Sequence, residues 1–362
     1  MEILSEVQDG IATATLNRPA ALNALSQDMV FELHAKLREW TGDTQVKAVV
    51  IRGAGEKAFC AGGDIRALHR SFTTGGTLHD EFFACEYALD YFIHRYPKPC
   101  ICLMDGIAMG GGMGIAQGTQ VRIVTDKTRI AMPEVGIGLI PDVGASYFLS
   151  RLPGSLGLYL ALTGNQVRAA DALYAGLADV YLSAEALARV EGTLRQVRWS
   201  EDPRADVSSA LRSLGTTQLP DAPLAAVRPA IDRHFRHGDV ASILQSLRGE
   251  SSPEYSAWAQ QALATMSTRS PLTVAVALRQ LQRGKTLSLA ESFRMELGLV
   301  RHCFERGDFI EGVRALIIDK DNKPRWRHGN LEAVPETDID DFFQDPWSGR
   351  AHPLAGLEQM AP

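Results

Sequence analysis

Glu134 and Asp142 share one segment, Met132-Pro133-Glu134-Val135-Gly136-Ile137-Gly138-Leu139-Ile140-Pro141-Asp142. Its prolines and glycines bar regular helix and a central strand, leaving a stiff loop that can aim carboxylates at a small molecule. Upstream, Gly110-Gly111-Gly112-Met113-Gly114 opens a helical pattern at Ile115-Ala116. Bare amides at a helix start can meet an anion. A third site signal, Ala58-Phe59-Cys60-Ala61-Gly62-Gly63-Asp64-Ile65, follows a predicted strand, and there the Gly63 amide can face a ligand oxygen. Together these suggest activation of a carbonyl with carboxylate chemistry. Each has a plainer reading: a Gly-Gly turn with Asp64 capping a helix, glycines for close helix packing, Glu134 as a surface acid, and Asp142 as the N-cap of a helix from Val143.

Other chemistries lack their residues. There is no G-x-S-x-G elbow, no dinucleotide or Walker glycine pattern, and no H-E-x-x-H; no metal site is expected. Cys100-x-Cys102 sits in an apolar run and reads as buried thiols. The five scattered cysteines suit a reducing compartment. Thirty-seven basic residues against 43 acidic give a net charge of −6, which disfavours a nucleic-acid partner. No run of about 18 apolar residues suggests a membrane span, and no targeting segment is evident; the expected location is cytoplasmic.

The positioning elements are strands alternating with helices in an α/β arrangement. Ile11–Leu16, Val46–Ile51, Pro99–Met104 and Val121–Val124 read as strands. Ser26 caps a helix to Trp40, with Met29, Leu33, Leu37 and Trp40 on one face. Beyond Gly176 the pattern is mainly helical, with segments at 184–198, 231–247 and 256–264. Asp202–Pro223, rich in Ser, Thr, Pro and Asp, reads as a linker or mobile loop. The expected organisation is a core over 1–200, a helical region over 201–343, and a loosely ordered tail over 344–362.

Leu16-Asn17-Arg18-Pro19 with Asn23-Ala24-Leu25, then Phe59–Ile65, Asp105–Gly112 and Met132-Pro133-Glu134 follow in an order that resembles the crotonase (enoyl-CoA hydratase/isomerase) superfamily. The resemblance is strong over residues 5–180, and Phe309–Ala315 looks like that family's C-terminal helix. It implies a spiral of ββα units that binds an acyl-CoA, with the Gly63 and Gly111 amides as an oxyanion hole. The hydratases of this family use two glutamates, whose places here are Gly114 and Glu134. The missing first acid speaks against hydration.

Glu134, Asp142 and Glu86, with the ending Ala315–Trp326, resemble the 3-hydroxyisobutyryl-CoA hydrolase branch, as does the length of the chain. That branch implies valine degradation. It casts Glu134 as nucleophile or general base, Asp142 as a contact to the 3-hydroxyl or a proton relay, and Glu86 as an orienting group. It further implies substrate contacts at Ala24, Leu25, Ala61, Gly62, Asp64, Ile65 and Gly110. Coenzyme A enters as part of the substrate and no separate cofactor is expected. Lys320, Lys323, Arg325 and Arg327 are candidates for its phosphates, or else a solvated tail. The superfamily implies homo-oligomers, trimers or hexamers. Two alternatives stand beside the hydrolase: a hydratase or isomerase using Glu134 alone, and a non-catalytic acyl-CoA-binding protein.

Overall fold

The computed structural model describes residues 1–214, 219, 221–347 and 349–360. Nine strands form two sheets: β1 (Ile3–Gln8), β2 (Ile11–Leu16), β3 (Ala48–Gly53), β4 (Ala58–Cys60), β5 (Cys100–Met104), β6 (Ile107–Met109), β7 (Val121–Val124), β8 (Arg129–Ala131) and β9 (Val180–Tyr181). The first has the order β1-β2-β3-β5-β7-β9, and the second β4-β6-β8. Only β1 with β2 is antiparallel. The chain alternates between the sheets, β3 then β4, β5 then β6, β7 then β8, with helices after each pair. These are the repeating turns of a spiral.

The helices of this half are α1 (Gln27–Gly42), α2 (Ile65–Thr73), α3 (Leu78–His94), α4 (Gly111–Gly118), α5 (Ala145–Phe148), α6 (Leu156–Thr163) and α7 (Ala169–Ala175). As expected, Ser26 caps α1 by accepting from Met29 N–H at 3.1 Å, and Met29, Leu33, Leu37 and Trp40 are buried. The four expected strands appear as β2, β3, β5 and β7, and the Cys100 and Cys102 thiols are buried within β5. Side chains of β3 alternate between two cores, as the strand period requires. Val49 and Ile51 join the main core, and Ala48 and Val50 a smaller one on the opposite face.

The later helices are α8 (Ala184–Ala188), α9 (Val190–Arg195), α10 (Pro203–Ser213), α11 (Pro223–His234), α12 (Val240–Arg248), α13 (Ser256–Ser267), α14 (Pro271–Gly284), α15 (Leu289–Glu305), α16 (Phe309–Val313) and α17 (Glu336–Phe342). Three expectations differ here. The stretch 231–247 is two helices, because Asp239 starts a new one by accepting from Ser242 N–H at 2.7 Å. The stretch 184–198 likewise divides, at Arg189. Much of the expected linker 202–223 is α10. Asp202 caps it, Pro203 occupies its first turn, and Val207, Ala210 and Leu211 are buried. The Ser/Pro/Asp composition marked a helix start, not a loop. Residues 215–218 and 220 of that stretch lie outside the described residues.

Helices α8–α10 cover the outer face of the large sheet, so α10 packs with the residues before position 200. The main core runs from Ile3 to Leu357 and crosses both expected boundaries. The tail, expected to be loose, lies on α15: Leu354 and Leu357 are buried and Glu358 pairs with Arg294 at 2.6 Å. Among the described residues no helix is long and apolar enough to cross a membrane.

The carboxyl ends of β4, β6 and β8 converge, and at Gly112 two backbones touch. A Cβ there would lie 2.4 Å from the Cys60 carbonyl oxygen. Gly112→Ala is therefore expected to lower stability by about 1–3 kcal/mol, through overpacking against backbone that cannot rotate away. Denaturant titration with an unchanged m-value checks this.

Candidate active site

Ligands of parallel sheets bind beyond the carboxyl ends of strands, where successive loops diverge. The chain leaving β4 supplies Ala61, Gly62 and Gly63; that leaving β6 supplies Gly110 and Gly111; that leaving β8 supplies Pro133 and Glu134. All seven line one cavity of about 240 Å³, together with Ile65, Leu68, Phe83, Glu86, Ile137, Leu139, Asp142 and Ile317. Gly62 (φ +105°) and Gly110 (φ +49°) occupy backbone conformations that favour glycine. Gly111 begins α4, where amides have no intrahelical acceptor. Neither the Gly63 nor the Gly111 N–H donates to a protein acceptor among the described residues. Two bare donors thus flank a cavity that also holds carboxylates.

The acid loop is held from outside the spiral. Glu134 opens a 3-10 turn, Glu134–Gly136, whose Val135 carbonyl accepts from Ser270 N–H at 2.9 Å. Ser270 caps α14. Gly138 (φ +75°) packs on the Asp308 backbone, and Gly312 of α16 packs on Ile137. After Asp142, Glu296 of α15 accepts from the Gly144 and Ser146 amides, both at 2.7 Å. Asp142 does not cap α5. Its side chain accepts from Tyr87 Oη–H at 2.6 Å, and Gly144 occupies the N-cap position.

Five acids are buried around the cavity: Glu86, Asp90, Glu134, Asp142 and Glu296. Burial comes first in raising each of them. It holds Glu86, Asp90 and Glu134 well above the carboxylate range, with further repulsion from Asp142 in all three. Asp142 is pushed up to about 7, although the Tyr87 hydrogen bond and a backbone amide favour its anion. Glu296 is pushed up to about 8 against its own amide hydrogen bonds. Glu86 Oε1 and Glu134 Oε2 have no hydrogen-bond partner among the described residues. A Cβ on Gly111 would lie 2.2 Å from Glu86 Oε1, so the Glu86 carboxyl sits directly against the Gly111 backbone.

Of the residues expected at the site, Gly63, Gly111, Glu134, Asp142, Glu86, Ala61, Gly62, Ile65 and Gly110 line the cavity. Ala24, Leu25 and Asp64 do not. Asp64 caps α2 by accepting from Ala67 N–H and pairs with Arg18 at 2.9 Å. The Ala24 carbonyl accepts from Arg18, and Leu25 is buried behind Gly111 and bridges to Gly63. Their place is the support of the Gly62-Gly63 loop. Tyr87, Asp90 and Glu296 were not anticipated. Glu86 and Asp90 lie one turn apart among the aromatic and aliphatic residues of α3, and that pairing was the available signal. The basic cluster divides: Arg327 donates to the Arg306 carbonyl and faces Asp338, while Lys320 and Lys323 are exposed beyond the cavity-lining Ile317. No group of His, Cys, Asp and Glu among the described residues is arranged to hold a metal.

An enoyl-CoA hydratase/isomerase family model matches residues 11–343. The chain belongs to that family. Over 94% of its length it is 41% identical to the 3-hydroxyisobutyryl-CoA hydrolase, mitochondrial, of Danio rerio, covering 89% of that protein. It is 36% identical to the Homo sapiens protein of the same name over 95% of this chain and 88% of the relative. Among solved structures, an enoyl-CoA hydratase from Rhodobacter sphaeroides 2.4.1 is 36% identical with a TM-score of 0.86, covering 96% of this chain and 98% of its own. A carnitinyl-CoA dehydratase from Mycobacterium thermoresistibile is 39% identical with a TM-score of 0.86, covering 96% and 99%. The crotonase-like α/β fold expected from the sequence is the fold observed.

Asp142 ties stability to pH. Its folded value, about 7, lies above the ordinary 3.8, so the native state keeps a proton that the unfolded chain releases. That contribution is full below about pH 4 and is lost as pH rises through 7. Asp142→Asn preserves an acceptor for Tyr87 and removes the titration. Its melting temperature is expected to exceed that of the wild type by several degrees above pH 7, and to converge with it only below about pH 4. Thermal scans across this range check it; parallel curves would assign the slope to the other acids.

Proposed function

We propose that the protein hydrolyses the thioester of 3-hydroxyisobutyryl-CoA, or a related short 3-hydroxyacyl-CoA, to free coenzyme A and the hydroxy acid. The carrying observation is one small cavity that holds Glu134, Asp142 and the bare Gly63 and Gly111 amides. The relatives named as hydrolases support the same reading.

In this reading the thioester carbonyl oxygen lies between the two amides. As the carbonyl carbon becomes tetrahedral, its oxygen gains charge that fixed donors stabilise; losing one such donor costs about 3 kcal/mol of barrier. In its ionised form Glu134 attacks the carbonyl carbon and the C–S bond breaks, giving a mixed anhydride that water then opens. Alternatively, Glu134 takes a proton from the water that attacks. The thiolate is a good leaving group, so a weak nucleophile suffices. Asp142, held by Tyr87, receives the 3-hydroxyl or relays a proton. Glu86 orients the acyl group. Coenzyme A serves only as the departing half of the substrate, with Lys320 and Lys323 beside its phosphates. The pathway would be valine degradation. A cytoplasmic location is our reading of the composition, beside relatives named as mitochondrial, and the chemistry is the same in either compartment.

The two similar structures, named as an enoyl-CoA hydratase and a carnitinyl-CoA dehydratase, favour a second reading, addition of water to an enoyl-CoA or its reverse. It requires Glu134 to act alone, since residue 114 is glycine.

Thiol release from 3-hydroxyisobutyryl-CoA, with crotonyl-CoA as control, separates the two. The expected result is rapid release that falls on the order of 10²–10⁴-fold in Glu134→Gln. Crotonyl-CoA consumption without thiol release would establish the hydratase instead. Single turnover in oxygen-18 water distinguishes the routes, because label enters the Glu134 carboxylate only through the anhydride. Lys320→Ala/Lys323→Ala is expected to raise KM and leave kcat unchanged; salt-sensitive affinity that survives the double substitution would exclude these lysines.

A further inference from the structure

Asp90 has no role in the mechanism above. It lies one helical turn beyond Glu86 on α3, is 2% exposed, and offers two carboxyl oxygens without a hydrogen-bond partner among the described residues. No cation faces it. The titratable groups that do are Glu86 of its own helix, Cys60 of β4, Asp142 of the acid loop and Glu296 of α15. An ionised carboxylate so buried and so surrounded is strongly disfavoured, so Asp90 keeps its proton.

Its contact is specific. A Cβ on Gly114 would lie 2.4 Å from Asp90 Oδ2 and 2.7 Å from Val143 Cβ. Asp90 and Val143 therefore both lie over the bare backbone of α4 at Gly114. Val143 directly follows Asp142 and has φ +52°, a left-handed conformation in which a β-branched residue is strained. Gly144 follows at φ +87°. Strain of this kind persists only where the surroundings over-determine it. Glu296 holds the amides on the far side of the turn. The Val143 side chain is confined by Gly114 and the Asp90 carboxyl.

We propose that Asp90 is a positioning residue: packed beside Val143 over Gly114, its carboxyl holds the turn that aims Asp142. The inference rests on the hydrolase reading for its effect on turnover, but the aim of Asp142 can be measured without substrate.

The test uses Asp90→Asn, Asp90→Ala and Val143→Ala in the full chain. Kcat, KM and the pH profile are measured with 3-hydroxyisobutyryl-CoA, and the Asp142 titration by carboxyl-carbon NMR. Asp90→Asn, neutral and of equal size, is expected to keep the wild-type kcat and pH profile. Asp90→Ala and Val143→Ala are expected to lower kcat about 10- to 100-fold with KM little changed, as for a misaimed reacting group. In both, the Asp142 titration should move from its wild-type position near 7. Loss of activity in Asp90→Asn would overturn the proposal, because a titrating proton would then be required. Folded alanine variants with wild-type kcat and an unmoved Asp142 titration would also overturn it. Val143→Ala decides the matter if Asp90→Ala does not fold. If the wild type releases no thiol, the hydrolase reading fails, and the NMR titration alone still tests Asp90.

Discussion

A methyl group on residue 112 would lie 2.4 Å from the Cys60 carbonyl oxygen, so β4 and α4 can approach only backbone to backbone. That approach decides where the rest of the site falls. It places the Gly62-Gly63 loop against Gly110 and Gly111, so that Gly63 and Gly111 line one cavity. It also lets α3 close over α4, with Glu86 against Gly111 and Asp90 against Gly114. Side chains on these glycines would separate the elements, and the cavity would have no fixed donors.

The electrostatic consequence is a concentration of acids in a region of low dielectric. Burial penalises each anion, and at Glu86 and Glu134 the Asp142 charge reinforces the effect. Among the described residues no buried cation faces these acids. Hydrogen bonds are used selectively: Tyr87 favours the Asp142 anion, and two amides favour that of Glu296. Glu86 Oε1 and Glu134 Oε2 have no hydrogen-bond partner among the described residues. Unpartnered buried carboxyls weaken the fold, and such strain is characteristic of sites whose groups await a ligand.

The helical region after residue 200 is the counterweight. Ser270, Glu296, Asp308 and Gly312 each fix one point of the loop that carries Glu134 and Asp142. The two acids are therefore aimed by α14–α16, and the two amides by the spiral. The main core is continuous across both, so the site and the extension fold as one body.

Much of this was legible in the chain itself. Strand alternation, the Ser26 cap and the glycine clusters specify local structure, because they depend on neighbours within a turn or a strand. The order of the motifs pointed to the fold, and Glu134, Asp142, Glu86, Gly63 and Gly111 do line one cavity. What tertiary structure alone decided was which groups meet across long separations. Asp142 resembled a helix cap until Tyr87 claimed its carboxylate from α3. Asp64 caps α2 through the Ala67 amide, as the local pattern allowed, but its pairing with Arg18 spans 46 residues. Glu296 lay in an ordinary amphipathic helix, and its grip on Gly144 and Ser146 spans a separation that no local pattern records. The tail carried no strong periodicity, yet Leu354 and Leu357 found a groove made by α15. Local preference is written in spacing; burial and pairing arise only when distant segments exclude water together.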